Sequence, residues 1–533
     1  MTEQHTTLLV NGRIHAAGAA GATAMAVTNG TIAWVGQDTV GHALHPHAAT
    51  VDLDGAFVTP AFVDAHVHAT DTGLHLSGID LTAVHSGQDL LAAVAAAAGS
   101  GDVLVAHGWD ESTWQNPRIP SRAELDAAAG DTPVYLTRID VHSALVNSAL
   151  LELAPHCRHL DGFSDEGPLT GDAHHAARSA ARAALPLPQR RRAQHAFLDA
   201  AAAAGIVSVH ECAGPTISGE QDLTELLQLG SEPTRPEVIG YWGELDAIDT
   251  ARRLGAHGLA GDLFADGALG SHTAALRSPY HDRSHTTGTR YLDPDTIGEH
   301  IVACTRANLQ AGFHVIGDAA VDDVVTGFRV AEQHVGTRAL AAAAHRLEHL
   351  EMVDAEQAHA LASWSVTASM QPLFDAAWGG PDGMYATRLG PSRAATLNPF
   401  ATLAETGIPL AFGSDTPVTP LAPWQTVRAA TQHHTNTHAL SARGAFNAHT
   451  RGAHRAAGHP DSSRGTLVPG APADYAIWDA PELVTSDAGS RASRWSTDPT
   501  SGVPALPPLD TDARLPQCLR TVRSGRIIHD VFD

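Results

Sequence analysis

Short apolar runs, many closed by a histidine or a carboxylate, alternate along this chain with Ala-rich stretches of helical character. The run at 59–70, TPAFVDAHVHAT, reads as a buried β-strand that ends by presenting His66 and His68. Side chains alternate across a strand, so Val67 turns away and both imidazoles share one face. Further strands are expected at 103–109 (VLVAHGW), 133–138 (PVYLTR), 205–211 (GIVSVHE) and 261–267 (GDLFADG). Others are expected at 313–318 (FHVIGD), 345–350 (HRLEHL), 365–370 (SVTASM) and 410–415 (LAFGSD). Alternating β and α over roughly 400 residues predicts a parallel α/β fold. Polar residues gather at the C-terminal ends of these strands, where a (β/α)8 TIM-like barrel carries its active site.

The two ends of the chain read differently. Short strands separated by Gly and Asn turns fill residues 1–60, and the same style returns in GTLVPGAPADYAIWD from Gly465 and CLRTVRSGRIIHD from Cys518. The expected division is a β-sandwich part at 1–60, a barrel at 61–462 and the rest of the sandwich at 463–533. The stretch around 70–200 is long for one or two βα units and is expected to be an insertion covering the barrel mouth. Residues 484–508, rich in Ser, Thr, Pro and Asp, read as a flexible excursion within the terminal β unit.

Composition narrows the function. A net charge of -25, without basic runs, argues against nucleic-acid or anionic-membrane surfaces. Four widely spaced cysteines without a CxxC argue against a disulfide framework or a thiolate zinc site. No leader-like or membrane-length apolar segment is apparent, so the expected setting is cytoplasmic. The expected partner is a small-molecule substrate, with neither nucleic acid nor membrane, and the chain is a candidate homodimer. All 33 basic residues are arginine, and the chain contains no lysine.

A lone HxH means little among 34 histidines, since roughly two are expected by chance. Recurrence at later strand ends gives His66 and His68 their meaning. His314 opens HVIGDAA, His349 closes RLEH, and Asp415 follows an apolar strand in FGSDTPV. Four imidazoles and a carboxylate from four strands form a plausible site for Zn, Mn, Fe or Ni.

These residues, with GWDESTW, PSRAELD, TRIDVHSALVNSALL and FADGALGSHTAAL, resemble the amidohydrolase superfamily over essentially the whole length. The resemblance is to the branch of YtcJ-like proteins and N-substituted formamide deformylases. It implies a barrel with a split β-sandwich, and metal ligands at His66, His68, His314, His349 and Asp415. It also implies a lysine, carboxylated to bridge two metals, where this chain has Asp262. Without lysine no such bridge can form, and Asp is too short to reach the same point without backbone movement. Three arrangements are open. One metal is held by His66, His68, His314 and Asp415, with His349 polarising the substrate; or Glu211 bridges two metals; or Asp262 is itself a ligand, supported by Asp266. Glu211 has the wrong strand parity, which pairs His210 with Ser208 instead.

One or two divalent metals, with zinc the first choice, imply water-driven hydrolysis of a non-peptide C–N bond in an N-acyl or N-formyl amine. Asp415 is the expected proton shuttle, and the metal or a protonated His349 the expected stabiliser of the oxyanion. Trp109, Asp110, Arg138, Asp140 and His142 are candidate substrate contacts, as are Asp266, Ser271 and His272. A mononuclear deaminase of heterocycles and a non-catalytic relative are the alternatives. P-loop and GxSxG patterns are absent, which removes phosphate-cradling and serine-hydrolase readings.

Overall fold

Eight strands pair in chain order, all parallel, to build the barrel of the computed structural model. They are β1 (Phe62–Val67), β2 (Ile206–Ala213), β3 (Glu237–Trp242) and β4 (Gly258–Leu259). Then follow β5 (Gln310–Val315), β6 (Arg346–His349), β7 (Thr367–Met370) and β8 (Leu410–Phe412). The structure describes residues 5–99, 103–111, 114–138, 143–459, 461–484 and 504–532. The 484–508 excursion lies largely outside them.

The seam between β8 and β1 is closed just past the end of β8. Asp415 N–H donates to the His66 carbonyl at 2.8 Å, and His68 N–H to the Thr416 carbonyl at 3.0 Å. Asp64 Oδ1 accepts the Ser414 N–H at 2.8 Å. Gly413 makes this approach possible, because a Cβ there would stand 2.5 Å from the His66 nitrogen. Val63 and Ala65 face the other way, packing with Ala411, Ala453 and Ala456. The alternation of β1 therefore sends Val63 and Ala65 to the helical layer and Asp64 and His66 to the barrel interior.

The chain divides into two compact units: Met1–His68, Asp199–Pro215 and Leu226–Asp533 in one, and Ala69–Leu198 with Thr216–Glu225 in the other. In the first, both chain ends contribute to two further sheets. Thr31–Gly36, Ala24–Thr28, Thr6–Val10 and Ala49–Asp52 form one; Arg13–Ile14, Phe57–Pro60, Tyr475–Asp479, Gln517–Arg523 and Arg526–Asp530 form the other. Their common core holds Leu9, Ile14, Met25, Ile32, Val58, Ile477 and Val522. Each such buried aliphatic contributes about 1.5–3 kcal/mol. The second unit has its own sheet of Leu169–Thr170, Ser143–Val146, Val134–Arg138, Leu104–Trp109 and Ile79–Asp80. No helix among the described residues is long and apolar enough to cross a membrane.

Three strand expectations are corrected. The runs at 103–109 and 133–138 are strands, but of the second unit's sheet rather than the barrel. The run at 261–267 is irregular, because β4 ends at Leu259. The barrel instead takes Glu237–Trp242, whose VIGYW run follows Pro236 and is interrupted by Gly240.

His345, just before β6, is fully buried and neutral. Its Nδ1 accepts the Ala311 N–H at 2.9 Å, and its Nε2 lies 2.9 Å from the Thr305 hydroxyl. Burial pushes its pKa from 6.5 down to about 3. A depressed imidazole pKa means the unfolded chain binds the proton first, so this stabilisation is complete above about 6.5 and is lost progressively as pH falls toward 3. His345→Gln is therefore expected to flatten the fall in urea midpoint between pH 7 and pH 5. Parallel declines in the two proteins would contradict it.

Candidate metal centre

His66 and His68 reach the same point as two carboxylates. His66 Nε2 lies 3.5 Å from Asp262 Oδ1 and 3.5 Å from Asp415 Oδ1. His68 Nε2 lies 3.2 Å from Asp262 Oδ2 and 3.2 Å from Asp415 Oδ1. Two groups of donors, His66–Asp262–His349 and His66–His68–Asp415, have ligand atoms within 4.8 Å of one another. His66 is fully buried, whereas the side chains of Asp262 and Asp415 are each 10% exposed and that of His68 13%. The open side of the cluster is therefore formed by His68 and the two carboxylates.

Asp262 gets there by a turn. After the two-residue β4 the chain bends at Gly261, whose φ of +78° suits glycine. A Cβ there would sit 2.9 Å from that of Cys212. His349 (φ +69°) and Asp415 (φ +54°) also adopt the left-handed region, unusual outside glycine and concentrated at functional sites.

The electrostatics call for positive charge. Burial opposes ionisation of Asp262, yet His66, His68 and His314 hold its pKa well below the carboxylate range. Burial likewise opposes a charge on His68, yet Asp262 and Asp415 raise its pKa well above normal. The buried His66 Nε2 and Asp262 Oδ1 have no hydrogen-bond partner. Imidazole nitrogens and carboxylate oxygens converging on one point, with unpartnered atoms aimed into it, fit a divalent cation of borderline hardness.

His66 and His349 are oriented from behind. His66 Nδ1 donates to Glu348 Oε2 at 2.9 Å, and His349 Nδ1 to Gln371 Oε1 at 2.8 Å, so both Nε2 atoms present lone pairs. The His349 ring also lies nearly parallel to Phe374, at 5.9 Å and 10°. Burial lowers the His349 pKa, and the nearby Asp415 acts against that shift.

Other predicted residues lie outside these two donor groups. His314 enters neither group; its ring lies 4.5 Å from that of His349 and 4.7 Å from that of Phe264. Burial pushes its pKa to about 3. Glu211 stands between His210 and Cys212, both of which meet interior groups, and among the described residues no converging donor group contains it. Asp266 is a strap rather than a free contact, since its carboxylate accepts the N–H groups of Ala275, Ile316 and Gly317 at 2.8–2.9 Å. His272 Nε2 is 3.0 Å from both oxygens of Asp282. Ser271 hydrogen-bonds the Thr273 hydroxyl at 2.6 Å.

In the second unit, Trp109 is buried and donates to the Leu136 carbonyl at 2.9 Å. Arg138 pairs there with Asp110 at 2.9 Å and Glu111 at 3.0 Å. Asp140 and His142 lie outside the described residues.

Sequence reasoning missed Cys212, Arg346, Glu348 and Gln371. Strand parity offered a signal, since Arg346 and Glu348 share the inward face of RLEH. Cys212, Glu348 and His66 form a third donor group. This group is poorly suited to a cation, because burial pushes the Cys212 thiol to about 11 and Arg346 already pairs with Glu348.

Residues 49–529 match the amidohydrolase family, and the chain belongs to it. It is 27% identical over 477 residues to the putative amidohydrolase YtcJ of Bacillus subtilis, covering 81% of this chain and 85% of that protein. It is 22% identical over 451 residues to an N-substituted formamide deformylase of Arthrobacter pascens, covering 78% and 82%. An uncharacterized metal-dependent hydrolase from Pyrococcus furiosus superposes with a TM-score of 0.76 at 26% identity, over 89% of this chain and 99% of that one. The chain is thus a hydrolase of the metal-dependent amidohydrolase superfamily.

Proposed function

We propose that this hydrolase cleaves a non-peptide C–N bond in an N-acyl or N-formyl amine, using one divalent metal, zinc in the first instance. The supporting observation is that both donor groups at the open side draw on His66, whose only free nitrogen is Nε2. Two groups sharing one nitrogen describe a single centre of His66, His68, Asp262, His349 and Asp415. This reading replaces His314 with Asp262 and His349 as ligands. When bound, the cation supplies Lewis acidity, polarising a carbonyl and lowering the pKa of a water.

The chain's own residues do the rest. Asp415 faces the open side and takes the proton of the attacking water. It then returns that proton to the departing nitrogen, without which an amine is a poor leaving group. Neutral His349 keeps its Nε2 lone pair turned inward. The similarity to the Arthrobacter formamide deformylase supports an amide substrate, and small N-acylated amines are the class proposed.

Protein purified without chelator is expected to hold about one zinc per chain. It is also expected to release amine from members of an N-formyl and N-acyl amine panel, and chelation should abolish that release. Two metals per chain would remove the single-centre reading. Ammonia release from aminated heterocycles, with none from the amide panel, would replace the substrate class.

A further inference from the structure

Behind the proposed centre lies a polar network sealed inside the barrel, which the hydrolytic reading does not use. Arg346, Glu348, His66 and His210 are all 0% exposed. Arg346 Nε donates to Glu348 Oε1 at 2.5 Å and Nη2 to Glu348 Oε2 at 3.0 Å. The same guanidinium donates to the Ala65 carbonyl at 2.6 Å, to Ser369 Oγ at 2.9 Å and to His210 Nδ1 at 2.9 Å. Its carbon lies 4.4 Å from the Tyr241 ring centroid. One side chain of β6 thus touches β1, β2, β3 and β7, and it has little freedom to move. Glu348 is clamped in turn, and towards the centre it accepts the 2.9 Å hydrogen bond from His66 Nδ1.

We propose that Glu348 is a positioning residue for the metal, the carboxylate that fixes which nitrogen of His66 faces the centre, held in place by Arg346. The proposal rests on the metal reading above. A carboxylate behind a metal-facing imidazole fixes its tautomer, orients its ring and raises its basicity. His349 is backed only by the neutral amide of Gln371, so His66 is the stronger donor of the two. Arg346 directs its N–H donors to three other strands and to Glu348 and lays its face over Tyr241 on a fourth, and so ties the aim of His66 to closure of the barrel.

The test is zinc affinity, read by competition with a chromophoric chelator on the full chain. Glu348→Gln is expected to weaken zinc binding about 10- to 100-fold. That variant leaves Arg346 unpaired, so the charge-balanced Arg346→Met/Glu348→Gln chain is measured beside it, with metal-free thermal unfolding as the check on folding. It is expected to fold, to lose affinity to the same extent and to shift the absorption bands of bound Co2+. A folded double variant with unchanged zinc affinity and an unchanged cobalt spectrum overturns the proposal alone. Unaltered protein that takes up no zinc overturns the metal reading and the proposal together. Histidine-selective 15N spectra of the zinc-loaded unaltered chain give a reading free of mutation. His66 is expected to carry its proton on Nδ1, and a proton on Nε2 overturns the proposal.

Discussion

Asp415→Asn is expected to lower kcat about 10²–10⁴-fold while zinc content stays near that of the unaltered chain. An asparagine retains one oxygen where Asp415 Oδ1 meets His66 and His68, at 3.5 and 3.2 Å. It gives up the ability to take a proton from water and hand it to nitrogen. Ligation and proton transfer therefore separate in this one substitution. The check pairs steady-state kinetics with metal analysis of the same preparation. Loss of zinc in proportion to activity would reduce Asp415 to a ligand; full activity would remove it from the chemistry.

The second large effect falls on the fold. Arg346→Leu leaves Glu348 as a buried carboxylate without its main partner and removes donors from Ala65, Ser369 and His210. Breaking one side of a buried pair costs about 3–5 kcal/mol, far more than the net worth of the pair. Burial alone would raise the Glu348 pKa, and Arg346 with His66 hold it below the usual carboxylate range. Without the guanidinium, Glu348 is expected to take up a proton more readily, and the loss should show in the apparent urea midpoint of the barrel. The Arg346→Met/Glu348→Gln chain is expected to recover most of that midpoint, since no charge is then stranded. If the single variant proves as stable as the double, the pair is not the keystone of the barrel interior.

Much of the barrel was legible because its strands are buried on both faces and read as apolar runs ending in polar residues. The same property caused the errors. A buried run does not say which sheet it joins, so 103–109 and 133–138 read as barrel strands although they pair with each other in the second unit. Glu237–Trp242 escaped because a proline precedes it and Gly240 interrupts it. At the site, His66, His68, His349 and Asp415 were readable as strand-end polar residues. Asp262 was harder, since its arrival depends on the bend at Gly261, a backbone event that side-chain reach does not disclose. His349 came inward through its positive φ, against the parity of its own strand, whereas Glu348 obeyed that parity and was passed over for its neighbour.

Asp262 has a consequence beyond geometry. A lysine bridge is built after folding, by reaction with dissolved carbon dioxide, and its formation depends on bicarbonate and on an amine being unprotonated. With Asp262 in that place, the proposed donor set is finished when the last peptide bond is made. On the proposed reading its assembly needs only metal and deprotonated donors, and metal uptake is expected to be unchanged by added bicarbonate.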